Sequence, residues 1–338
     1  MEKIRVEDAV GMPLCHDITA MRPGFKGALF KRGHVIEKKD IQVLLDIGKK
    51  TVYAGEPDEG MIHEDDCAIR LSEMTKTDGT HFEGPSEGKM LLFADRKGMF
   101  RVDTDLLNSI NRIGDITIST IPDHFRVEEG DRLASMRIVP LFTDKEQIER
   151  AEGLCADKRL FELLPYKPLS VGIVITGSEV YSGRISDMFE PVVRKKLKYF
   201  PGQIKGVKIC DDDISMITAA AEELMNEGAD LLIFTGGMSV DPDDLTPGAI
   251  KRLGAEIISY GLPAQPGNMT LVAYLDDIPI LGVPGAAISL PTTMFDVLLP
   301  QVYTGIKFTK KDLIGLGDGG LCRMCKECHF PNCTFGRY

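Results

Sequence analysis

Thr235-Gly236-Gly237-Met238-Ser239-Val240-Asp241-Pro242-Asp243-Asp244-Leu245-Thr246-Pro247 follows an apolar run, Leu231 to Phe234, and leads into residues with helical spacing. The apolar run reads as a buried strand. Paired glycines let a backbone come close to a ligand. Ser239, the three aspartates and Thr246-Pro247 then read as the opening of a helix, whose free N–H groups suit an anion. Aspartates such as Asp241 and Asp244 can bind a divalent cation that the anion shares. One loop thus points to a phosphate or oxyanion ligand accompanied by a metal.

Outward from this loop, the chain repeats β-α units from Pro168 onward. Strands are expected at Leu169 to Ile175, Ile204 to Ile209, Leu231 to Thr235 and Ile278 to Gly282. Helices are expected at Met188 to Tyr199, Ile214 to Asn226, Pro247 to Leu253 and, as one long apolar element, Ala286 to Leu299. The alternation predicts an α/β domain with a mainly parallel sheet and helices on both faces. A smaller mixed α+β N-terminal region and a short Cys-rich tail flank it. The divisions are 1–55, a strand-rich region with a polar insert at 56–142, a linking helix at 143–167, the parallel-sheet domain at 168–305, and a Gly hinge with four-cysteine tail at 306–338.

In open α/β sheets the ligand sits beyond the carboxyl ends of the strands. Four loops fall there: Thr176-Gly177-Ser178-Glu179 with Gly183 to Asp187, Asp211-Asp212-Asp213, the glycine-aspartate loop, and Gly282-Val283-Pro284-Gly285. Gln265-Pro266-Gly267-Asn268 adds a further turn. Each loop alone has an ordinary reading: Asp211 to Asp213 can cap the next helix, and Thr176-Gly177-Ser178 can be a plain strand-to-helix turn. Together, carboxylates at one sheet edge repel unless a cation or a working proton joins them.

These loops, in this order and spacing over residues 168–305, resemble the molybdopterin-binding domain of molybdopterin adenylyltransferases and molybdenum insertases. Val6-Glu7-Asp8-Ala9-Val10-Gly11 and Phe30-Lys31-Arg32-Gly33-His34-Val35-Ile36 are similar to the opening segment of insertases. The resemblance implies insertion of molybdate into adenylylated molybdopterin with Mg²⁺. It implies catalytic roles for Glu179, Asp211 and Asp244, Mg²⁺ ligation by Asp212, Asp241 and Asp244, and substrate binding by Thr176, Gly177, Ser178, Asp187, Gly236, Gly237, Ser239, Pro284 and Gly285. It also implies a homodimer, and a molybdoenzyme or pathway protein as a further partner. Departures are visible. Gln265-Pro266-Gly267-Asn268-Met269 lacks the family's lysine, Ala286-Ala287 replaces Asn-Pro, and only about thirty residues follow Gly305 where insertases carry a β-domain. A non-catalytic carrier or regulator of the cofactor, or a molybdopterin adenylyltransferase, are the other readings.

The tail, Cys322-Arg323-Met324-Cys325-Lys326-Glu327-Cys328-His329-Phe330-Pro331-Asn332-Cys333, spaces its thiols as C-x2-C-x2-C-x4-C. Cys322, Cys325, Cys328 and Cys333 can hold an iron–sulfur cluster or Zn²⁺. A redox-active or disordered tail is the bland alternative. His63, His81 and His124 are expected at the surface, and Arg194, Lys195, Lys196 and Lys198 on the solvated side of a helix.

Net charge of −11 over 338 residues argues against nucleic acid or an anionic membrane as partner. No apolar stretch nears the roughly twenty residues that span a bilayer. Met1-Glu2-Lys3-Ile4-Arg5 lacks the apolar run of a secretion signal, so the expected compartment is the cytoplasm.

Overall fold

The computed structural model describes residues 3–22, 24–55, 58–239 and 244–337. Two compact units result: Met1–Asp95, Asp103–Ile121 and Gly130–Phe161 form the first, and Arg96–Val102, Pro122–Glu129 and Glu162–Tyr338 the second.

The first unit contains a small core of its own at the N-terminus, where Val6, Leu14, Ile18, Ile36, Leu44 and Val52 are buried together. Strand Ile4–Arg5 pairs antiparallel with Thr51–Val52, and a short helix spans Asp40–Asp46. A four-stranded antiparallel sheet follows, ordered Thr80–Ser86, Lys89–Ala94, Arg132–Ile138, Ile116–Thr120. Along Lys89–Ala94 the residues Met90, Leu92 and Ala94 alternate inward, the period-two pattern of a half-buried strand. Helix Glu64–Met74 lies on this sheet, burying Cys67, Ala68 and Leu71. His63 is not at the surface. It is 3% exposed and its Nδ1 accepts from the Asp65 N–H at 3.1 Å, capping that helix. The linking helix expected over 143–167 runs only from Lys145 to Cys155. A strand, Phe161–Leu164, takes the remainder, because Phe161, Leu163 and their neighbours alternate in burial.

The second unit holds the parallel sheet, and its elements are numbered from there. Strand β1 is Leu169–Thr176, followed by the short helix α1, Ser178–Tyr181, and by α2, Phe189–Leu197. Then come β2, Gly202–Cys210, α3, Ile214–Asn226, β3, Leu231–Thr235, and α4, Thr246–Arg252. Two strands not anticipated, β4 at Glu256–Tyr260 and β5 at Leu271–Leu275, precede β6 at Ile278–Val283. Helices α5, Met294–Thr304, and α6, Lys310–Gly315, complete the unit. The sheet order is β2-β1-β3-β6-β5-β4. The first four strands are parallel and the last two join antiparallel, so the mainly parallel α/β class is present.

Both sheet faces are covered. Val171, Ile173 and Ile175 of β1 meet Val193 and Leu197 of α2 and Phe295 and Leu298 of α5. Val174 points the other way, into Ile217, Ala221 and Leu224 of α3 and Ile250 of α4. Burial on both faces is why these strands read as unbroken apolar runs.

The single long helix expected over Ala286 to Leu299 is two elements, a 3-10 turn at Gly285–Ala287 and then α5. Pro291 disfavours helical geometry at the residue before it and supplies no N–H. Thr293 and Asp296 then form a reciprocal capping box that restarts the chain as α5. Lys196 also departs from expectation. Its ammonium donates at 2.7 Å to the Asp296 carboxylate and at 3.1 Å to the Pro291 carbonyl, with both charged side chains nearly buried. No helix among the described residues is long and apolar enough to cross a membrane.

Candidate functional site

The register of the parallel strands brings the chemistry-bearing loops to one rim. Thr176 sits opposite Cys210, Ile175 opposite Thr235, and Thr235 opposite Val283, so β1, β2, β3 and β6 end together. The chain leaves β1 for β2 on one side and returns to β3 on the other, which opens a crevice at that point of reversal.

Beneath the crevice lies a buried hydroxyl cluster. Thr176 Oγ1 is 3.1 Å from Thr246 Oγ1, and Thr246 Oγ1 donates to the Gly236 carbonyl at 3.0 Å. Thr246 therefore does not cap α4; its hydroxyl turns back to hold the glycine loop. Gly236 and Gly237 both have positive φ, 81° and 52°. A β-carbon at Gly236 would collide with the Thr176 carbonyl, and one at Gly237 would lie 2.7 Å from Thr246 Oγ1. The glycines are needed for the close meeting of β1 and β3 as well as for any ligand.

The acidic loop is fastened to the first loop. The Ser178 hydroxyl donates to Asp211, and the Ser178 N–H donates to Asp212 Oδ2 at 2.9 Å. The Ser178 hydrogen bond and the Asp212 N–H hold the Asp211 carboxyl below the usual carboxylate range. The capping reading applies to Asp213, whose carboxylate accepts from the Met216 N–H at 2.8 Å at the start of α3. Asp187 acts in the same way and opens α2, accepting from Phe189 N at 3.0 Å and Glu190 N at 2.7 Å.

A cleft of about 410 Å³ occupies this rim. Thr176, Gly177, Glu179, Asp187, Asp212, Gly236, Gly237 and Asp244 line it. Val180, Ile185, Met188, Phe189 and Ile288 give it an apolar wall. Ser178, Asp211, Ser239, Pro284 and Gly285 stand outside this lining. Ser178 and Asp211 brace it, while a β-carbon on Gly285 would meet nothing within 4 Å. Asp241 lies outside the described residues. No Lys or Arg is among the lining residues, and no group of three or more His, Cys, Asp or Glu among the described residues is placed to hold a metal ion. The donors at the rim are all oxygen, the chemistry that a hard cation such as Mg²⁺ accepts.

Sequence reasoning missed Tyr260. From β4 its phenol stands 3.1 Å from the Met238 carbonyl and 2.9 Å from the Ser239 carbonyl, pinning the glycine loop from outside. Burial and the Asp244 carboxylate push that phenol's pKa up. No local pattern marks Tyr260, because β4 itself was not anticipated.

The four tail cysteines all line a second cavity of about 420 Å³ in the same unit. The tail is folded against the domain: Phe335 is buried in the sheet core and Cys322 and Cys333 pack on it. The Gln265 backbone, at the position of the family's turn, bonds Gly320 at 2.7 Å and Cys322 at 2.8 Å.

Residues 172–304 match the family described as a probable molybdopterin binding domain, and residues 3–56 match a domain of unknown function. The matched segment is the parallel-sheet domain, which carries the cleft and is similar to the molybdopterin-binding family. A molybdopterin molybdenumtransferase of Synechococcus elongatus is 27% identical over 157 residues, 44% of this chain and 39% of that protein. Another, from Bacillus subtilis, is 32% identical over 129 residues, 35% of this chain and 29% of that protein. A CinA-like protein of a Mycobacterium species is 36% identical over 88 residues, 26% of this chain and 21% of that protein. The chain therefore spans well under half the length of these relatives.

Proposed function

We propose that this chain acts in molybdenum cofactor biosynthesis as a molybdopterin molybdenumtransferase, taking adenylylated molybdopterin and molybdate and releasing AMP. The observation that carries the reading is a cleft walled by Glu179, Asp212 and Asp244 beside Gly236 and Gly237, with no cationic side chain among its described lining residues. A phosphate entering it meets charge of its own sign, which favours a ligand that shares a cation with those carboxylates. Asp212 and Asp244, with Asp241, would hold Mg²⁺, which supplies neutralisation of charge developing on the phosphate oxygens. The glycine pair lets the phosphate approach the backbone, and the wall of Val180, Ile185, Phe189 and Ile288 receives the flat pterin. Glu179 orients the attacking oxygen, and Asp211 acts through Ser178, which it holds in place. A cytoplasmic homodimer belongs to the same proposal.

The test is incubation with adenylylated molybdopterin, molybdate and Mg²⁺. AMP release that depends on molybdate is expected, and Asp244→Ala should abolish it; unchanged turnover in that variant overturns the assignment. A second reading, a non-catalytic carrier or regulator, is favoured by the Gln265 turn, whose backbone is engaged by the tail. Tight pterin binding without AMP release would select it. AMP transfer from ATP to molybdopterin would instead select an adenylyltransferase.

A further inference from the structure

We propose that the C-terminal tail is the binding site of a polynuclear iron–sulfur cluster, held by Cys322, Cys325, Cys328 and Cys333 in the cavity that these residues line. The spacing supplies three ligands in a C-x2-C-x2-C run and Cys333 as the fourth, the four thiolates that a cubane cluster takes. All four cysteines line one space of about 420 Å³. Zinc sites commonly separate two ligand pairs by a longer loop, whereas Cys322 to Cys333 place all four thiols in one short run, the close spacing of a cluster-binding segment.

The cavity's other features fit an anionic, sulfur-rich guest. Leu290, Pro291, Met324, Phe330 and Phe335 make much of its wall apolar. Thr292 Oγ1 lies 3.3 Å from Cys328 Sγ, placed to donate to a thiolate once the thiol gives up its proton. Arg337 has a buried Nε with no hydrogen-bond partner among the described residues, although its terminal nitrogen donates to the Pro331 carbonyl at 2.8 Å. That half-buried guanidinium interacts electrostatically with Cys333, a lining residue, and the negative charge of a thiolate-ligated cluster would compensate it. The tail is docked on the domain through Phe335 and the Gln265 backbone, so a folded surface presents the ligands.

The experiment is anaerobic reconstitution of the full chain with ferrous iron and sulfide, followed by iron, sulfide and zinc analysis and by electron paramagnetic resonance after reduction. Iron and acid-labile sulfide in equal amounts, with a visible charge-transfer band, are expected. Cys325→Ser and Cys328→Ser, both at exposed positions, should lose them, while Cys155→Ser, outside the tail, should retain them. Circular dichroism confirms that the variants are folded. Stoichiometric zinc without sulfide, absence of both metals in a folded chain, or a cluster that survives the Cys325 and Cys328 substitutions overturns the proposal. The readout does not involve pterin or AMP, so its failure is separate from failure of the cleft assignment.

Discussion

At the scale of single residues, the two glycines of the cleft are not equivalent. A methyl group at Gly236 meets a main-chain carbonyl, that of Thr176, whereas at Gly237 it meets two side-chain hydroxyls that can shift. Gly236→Ala should therefore cost more than Gly237→Ala, each carrying roughly 1–3 kcal/mol of backbone strain at its positive φ. Denaturant midpoints measured on both variants decide the order; equal losses would mean that the Thr176 carbonyl moves as readily as a hydroxyl. The glycine pair was legible in the sequence because glycine has few reasons to recur after a buried strand. Asp213 was legible as a helix cap, one of the two readings its acidic run allowed, whereas Asp187 was legible as an acidic residue but not in its capping role. A carboxylate one or two residues before a helix is spelled the same whether it waits for a ligand or accepts the first N–H groups, and only the geometry distinguishes these.

At the scale of elements, charged pairs fix how segments meet. Lys196 and Arg194 are two residues apart in one basic run. Arg194 pairs with Glu190 on the open side of α2, whereas Lys196 reaches α5 through Asp296. Lys196→Met should cost about 3 kcal/mol by stranding a nearly buried carboxylate. Arg194→Met should cost less than about 0.5 kcal/mol. Urea unfolding of the two variants separates these outcomes. A second clasp ties strand Gly98–Val102 to the following loop at Asp123. Burial alone would raise that carboxyl, but His124, the Val102 N–H and Arg101 outweigh it and bring the pKa from 3.8 to about 2. The folded value is depressed, so the contribution is whole above pH 3.8 and fades as pH falls through about 2. It amounts to about 2 kcal/mol. Acid titration of stability in wild type and Asp123→Asn should differ by that amount across this window and run parallel below it. Periodicity announced most helices and parallel strands of the second unit. It failed over residues 286–299, where proline and a capping box outweigh apolar spacing, and at β4 and β5, whose antiparallel return is set by tertiary pairing.

At the scale of the whole molecule, the chain's negative charge and its acidic cleft belong together only if a cation travels with the ligand. Chelation of Mg²⁺ should accordingly weaken pterin-phosphate binding measured by calorimetry, and added salt should not replace it. Undiminished binding under chelation would remove the metal from the account. Within the second unit, the segment from Gly285 to Thr293 presents Ile288 to the cleft and Leu290, Pro291 and Thr292 to the cysteine cavity, with Lys196 gripping the Pro291 carbonyl. The two proposed guest sites thus share a partition. By thermodynamic reciprocity, whatever factor a guest in one chamber imposes on affinity in the other must be returned in kind. A pterin phosphate that tightens iron binding against a chelator would have its own dissociation constant lowered by the same ratio once the iron is in place.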